Sequence, residues 1–284
     1  MATSTQVVPV TKSWGPLALW HLLSLDAPTV AALWTWFVAR ANHVRLPLAS
    51  PVAMGLAVWM LYAADRLLDA QRDSAILEAR HLFHSQHRRG FLVGIAAAGV
   101  VLGALLPEVN GTAIRLFLCE GTLLLLWFGI LHGTRSAHRL PKEIATGLFF
   151  AAAIFIPTVA REPGLRLTLF PMAILFVALC SLNCLFIYKW ENQGGLRGNY
   201  AEAHPSTRMA LHHLTALAVL ETAAGFAFAL FDPYVPRLVG LACGLASALL
   251  LALDWNHKRL GRVILRAAAD LVLLTPLLFL AFLR

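Results

Sequence analysis

The sequence predicts an all-α, polytopic membrane protein, and three observations carry that reading. The 284-residue chain is 59% hydrophobic and only 13% charged, with a mean hydropathy of +0.70. Apolar runs near 20 residues, the length that crosses a bilayer, recur along its whole length. Basic residues alternate between successive connections. This profile excludes an ordinary soluble domain.

Nine segments have span length: roughly 17–40, 47–69, 90–107, 111–131, 143–160, 167–188, 209–231, 236–254 and 264–283. They are expected to form one all-helical membrane domain. Residues 1–13 are polar and lack the order of a cleavable signal, so they read as a cytosolic tail ahead of one membrane domain over 14–284. Pro107–Gly111 and Phe231–Pro236 read as tight turns. The tail and the connections after the second, fourth, sixth and eighth segments, counted with Arg66 and Arg266 at the adjoining segment ends, hold 16 of the 23 Lys and Arg residues. The positive-inside rule then places the N-terminus in the cytoplasm of a cytoplasmic membrane, and nine crossings place the C-terminus outside. The net charge of +8 is explained the same way, by loops facing anionic lipid, and not by nucleic acid. Cys119, Cys180, Cys184 and Cys243 lie inside apolar runs and read as reduced packing residues.

The most informative polar feature is Asp65-Arg66-Leu-Leu-Asp69-Ala-Gln-Arg72-Asp73, directly after the apolar run Pro51–Met60. A four-residue spacing turns each acid only about 40° from the last on a helix, so the three share a face. Carboxylates at that depth are costly and mark function. Such a face suits Mg²⁺, which takes oxygen ligands and commonly carries a diphosphate. Arg66 and Arg72 then grip phosphate oxygens. The bland reading is a helix end with charge pairs among lipid headgroups.

A second polar cluster, Asn183 to Glu191, closes the sixth segment. There Asn183 positions phosphate or metal-bound water, Lys189 neutralises a leaving diphosphate, and Glu191 completes a metal site. The competing readings are an interhelical hydrogen bond for Asn183 and a snorkelling Lys189. A third, basic loop leads into the fifth segment, where Arg139 and Lys142 are candidate diphosphate contacts. His81, His84 and His87 spread too far around a helix to share one metal and read as a solvated basic surface. Asp254 and Asp270 read as structural pairs, the latter with Arg266 one turn earlier. Asp26, two residues before Pro28, reads as lining a polar cavity, and no role is assigned to Glu120 or Glu221.

Taken together, nine segments, an inside N-terminus and polar clusters closing the second and sixth segments resemble the UbiA superfamily of intramembrane prenyltransferases. Asp65-Arg66-x-x-Asp69 matches the second half of that family's N-D-x-x-D-x-x-x-D motif, and Asp73 extends it. The motif's leading Asn-Asp falls on Leu61-Tyr62 and is absent here. Arg139-Leu-Pro141-Lys142, followed by Gly147-Leu-Phe-Phe-Ala-Ala, is similar to the family's basic loop and small-residue helix. The resemblance covers most of 17–283 in layout, with degenerate motifs. It implies an all-helical bundle around a central cavity and a Mg²⁺-dependent transfer of an isoprenoid group from a prenyl diphosphate to a lipophilic or aromatic acceptor. Asp65, Asp69, Asp73 and Glu191 would hold metal, Arg66, Arg72, Arg139, Lys142 and Asn183 would hold diphosphate, and Asp65, Asp69 and Lys189 would act in catalysis. A CDP-alcohol phosphatidyltransferase is disfavoured by the spacing of its acids. The non-enzymatic alternative is a lipid-binding, scaffold or transport protein of the same fold.

Overall fold

Apolar stretches of this length leave the backbone one economical way to satisfy its own polar groups, which is to close them helically. The computed structural model, which describes residues 15–69, 79–133, 141–192 and 203–283, is all-helical, with no strand among those residues. Its α-helices are α1 (Pro16–Leu22), α2 (Asp26–Ala41), α3 (Ala49–Asp69), α4 (Ala79–Gln86), α5 (Arg88–Leu105), α6 (Gly111–Gly133), α7 (Lys142–Arg161), α8 (Arg166–Asn192), α9 (Pro205–His212), α10 (Leu214–Phe231), α11 (Arg237–Asn256) and α12 (Arg262–Val272). A 3₁₀ segment, Thr275–Phe282, continues α12 after a break.

Among the described residues, seven helices are long and apolar enough to cross a membrane. An eighth joins them only if α1 and α2 count as one span, and those two meet at an 88° bend. The remaining expected segment is α6, 23 residues long, which stands outside that set.

The bend departs from the expected continuous segment over 17–40. Its cause is local. Asp26 opens α2 with Pro28 in its first turn, a helix-start signal, and Ser24 just before it takes a left-handed conformation at φ 57°. The last segment is also broken, because Pro276 follows the end of α12 and starts the 3₁₀ turn.

The core is built on α2, α7, α8 and α11, which bring together Trp34, Phe37, Ile154, Phe176, Phe186 and Leu250, all fully buried. Trp34 stacks at 4.4 Å from Phe176 and donates its indole N–H to Leu273 O at 2.7 Å. That bond ties the end of α12 to α2. The helix α8 is central, with 56% of its apolar window buried, whereas only 11% of the α5 window is. Most of α5 thus presents Val93, Val100 and similar side chains outward, as a lipid-facing helix does.

Candidate functional site

A group of polar side chains is buried where the α1–α2 bend meets α3, α8 and α12. The bend itself supplies His21, at the end of α1, and Asp26, at the start of α2; they are 3% and 1% exposed. Starting a helix with an acid is favourable, because free N–H groups and the helix dipole face it. Accordingly, Asp26 Oδ1 accepts from Ala27 N at 3.0 Å. Its other oxygen is hydrogen-bonded to His21 Nδ1 at 2.5 Å.

Two neighbouring helices close on that pair. From α3, the buried Arg66 donates to His21 O at 3.1 Å and brings Nη2 to 4.0 Å from Asp26 Oδ2. From α12 comes Asp270, whose ligand oxygen lies within 4.8 Å of those of His21 and Asp26. From α8, Asn183 donates Nδ2 to Asp270 Oδ1 at 3.0 Å, while its own Oδ1 is buried with no hydrogen-bond partner among the described residues. Behind the bend, Ser24 Oγ and His84 Nε2 are 3.1 Å apart, and the His84 ring stacks on Phe91 at 4.0 Å.

A second polar layer lies six to eight residues further along α8. Lys189 Nζ is 2.7 and 3.0 Å from the carboxylate oxygens of Asp254, which also accepts from Trp190 Nε1 at 2.8 Å. Glu191 is ion-paired with Arg266 of α12. At the entry to α7, the buried Glu143 accepts from Thr207 at 3.2 Å.

The sequence-predicted residues therefore fall into three groups. Arg66 and Asn183 meet in the buried network through Asp26 and Asp270. Lys189 and Glu191 are held by Asp254 and Arg266. Asp65 is half-buried on α3 beside Arg66, and Lys142 is exposed at the start of α7. Asp69 ends α3, with its side chain outside the described residues; Arg72, Asp73 and Arg139 lie outside them entirely. Two expectations need correction. His84 is fully buried, not part of a solvated surface, because it plugs the α1–α2 bend. Asp270, expected as a structural pair with Arg266, accepts from Asn183 and lies beside His21 and Asp26, while Arg266 pairs with Glu191.

The network also holds His21 and Ser24, which sequence reasoning passed over, and His84, which it placed on a solvated surface. The available signal was local: a histidine, a serine and an acid within six residues, just before a proline, in a segment otherwise apolar. The partners in α8 and α12 lie more than 150 residues away and leave no local trace.

Chemically, the network offers two imidazoles, two carboxylates, a guanidinium and an amide oxygen without a partner among the described residues, at a largely buried junction of helices. Such a set can hold a proton or a cation and orient it toward the end of α3. Set against known proteins, the chain matches no protein-family model, no curated protein and no solved structure.

Proposed function

We propose that this chain is an integral-membrane enzyme that transfers an isoprenoid group from a prenyl diphosphate to a lipophilic or aromatic acceptor, working at the cytoplasmic face with Mg²⁺. The observation that carries the reading is that both motif-bearing helices run into one network: Arg66 of α3 through Asp26, and Asn183 of α8 through Asp270. Buried polar residues joined across four helices at one end of an apolar bundle are expensive to build and are characteristic of functional sites in membranes.

The residues fit Mg²⁺ in part. Asp65 and Asp69 are carboxylate residues one turn apart on α3, the hard-oxygen chemistry this ion takes, and the buried Asn183 Oδ1 is a further oxygen without a partner among the described residues. Glu191 is already neutralised by Arg266 and is the weaker candidate. When bound, Mg²⁺ would neutralise charge developing on a departing diphosphate, where such catalysis draws most of its stabilisation. The chain's own part is positioning. Arg66, pinned to His21 O, keeps the end of α3 against α2. Asn183 fixes α8 to α12 at the same level. Apolar walls exclude water that would capture an allylic cation. Lys142, exposed at the α7 entry, is available to a phosphate arriving from the cytoplasm.

A second reading has its own support. Lys189 and Arg66 already face Asp254 and Asp26, so two cations expected for diphosphate have partners inside the protein. This favours a non-catalytic membrane protein that binds lipid. One experiment separates the two. Detergent-purified protein should bind a non-hydrolysable prenyl diphosphate analogue only with Mg²⁺, and Asp65→Asn with Asp69→Asn should weaken binding at least tenfold. Binding that persists without metal, or survives both substitutions, sinks the enzyme reading.

A further inference from the structure

His21, Asp26 and Asp270 come from three helices, yet each places one ligand atom within 4.8 Å of the other two. We propose that these three residues form a binding site for one divalent transition-metal ion of the zinc class, distinct from the Mg²⁺ role given to the acids of α3.

The donor chemistry selects the ion. An imidazole with two carboxylates is a borderline N/O set that favours zinc-type ions, whereas Mg²⁺ prefers oxygen ligands and retained water. The size also fits. Donors bonded at about 2.0–2.1 Å to a single ion stand roughly 3–4 Å from one another, so the cluster closes on an ion with sub-ångström shifts. The 2.5 Å contact between His21 Nδ1 and Asp26 Oδ2 is too short for two ligands of one ion. It opens when the metal displaces the proton held between them, and that proton leaves to solvent.

An independent observation points to a missing ligand. Asn183 is 5% exposed, its Nδ2 is committed to Asp270, and its Oδ1 has no partner among the described residues. A buried amide oxygen costs free energy when left unpaired. A metal ion beside Asp270, or a water bound to that ion, would satisfy it. Arg66 fixes the His21 backbone and offsets one carboxylate charge, and the other nearby guanidinium, Arg266, is engaged by Glu191.

The test needs no prenyl diphosphate, so it stands or falls apart from the proposed activity. Untagged full-length protein in detergent would be titrated with Co²⁺ alone and followed by visible absorption. The expected result is one Co²⁺ per chain, displaced by equimolar Zn²⁺ but not by Mg²⁺ in hundredfold excess. His21→Gln and Asp270→Asn should each weaken binding at least tenfold. Substituting the exposed pair His212 and His213 with alanine should leave it unchanged. The proposal is overturned by wild-type protein that takes up no Co²⁺, by ready displacement with Mg²⁺, or by loss of the signal in the His212/His213 variant. Unchanged binding in folded His21→Gln and Asp270→Asn proteins overturns it equally.

Discussion

At the scale of single residues, the outer polar layer makes a sharp prediction. The Lys189–Asp254 pair is largely shielded, with side chains 19% and 11% exposed, and Trp190 also donates to the carboxylate. Deleting one member of a fully buried pair costs about 3–5 kcal/mol, and of an exposed pair about 0–1. This pair sits between those limits. Lys189→Met and Asp254→Asn should each lower stability by about 1–3 kcal/mol, and the double variant should lose clearly less than the sum, because the second change removes the charge stranded by the first. Unfolding of the four proteins in detergent checks this. Strictly additive losses would mean the two side chains do not support each other. The pair also shows where sequence reasoning stops. That Lys189, Glu191, Asp254 and Asp270 are charged or polar residues at the edges of apolar runs was legible. Which meets which was not, because Lys189–Asp254 and Glu191–Arg266 join residues 65 and 75 positions apart, beyond the i,i+4 logic that links neighbours on one helix.

At the scale of elements, apolar length identified the helices, since the backbone cannot cross lipid otherwise. It did not mark the two interruptions, at Leu23–Leu25 and Leu273–Leu274. Both follow from brief punctuation, Asp26 with Pro28 and Thr275 with Pro276, which average hydropathy over a long window smooths away. Helix contacts were hidden for a different reason: small residues signal close approach only once the partner is known. α10 and α11 cross through Gly225, Gly240 and Gly244. A Cβ on Gly225 would stand 2.6 Å from Gly244 Cα and N and 2.9 Å from Gly240 O, all backbone atoms that cannot step aside. Gly225→Ala should therefore destabilise by about 1–3 kcal/mol through overpacking. A Cβ on Gly103, in α5, would meet nothing within 4 Å. Gly103→Ala should be neutral or stabilising by about 0.5–1 kcal/mol, the ordinary helix preference for alanine over glycine. Comparing melting temperatures of the two variants tests the assigned α10–α11 contact. Equal effects would place that contact elsewhere.

At the scale of the whole molecule, the remaining quantity is the parity of crossings, and it fixes which face holds the network. Two elements decide it. One is the α1–α2 pair: a right-angle bend lets α1 lie along the surface while α2 crosses, and α2 has 16 residues, or about 24 Å at 1.5 Å per residue. The other is α6, which has the length to cross and carries Arg115 and Glu120 along it. If both cross, the chain passes through the membrane an odd number of times and its ends lie on opposite sides; if only one of them crosses, the ends lie together. The charge distribution favours opposite ends, because the connections between α3 and α5, α6 and α7, α8 and α10, and α11 and α12, together with the helix ends that flank them, hold 15 of the 23 Lys and Arg residues and belong to one side. That is also the side of Lys189, Arg266 and the end of α3. A reporter that is active only outside the cytoplasm should therefore be silent at the N-terminus and active at the C-terminus. Activity at both ends, or at neither, would put the two ends of the chain on one side of the membrane. The odd crossing number would then be wrong, and with it the access of a cytoplasmic diphosphate to Asp65.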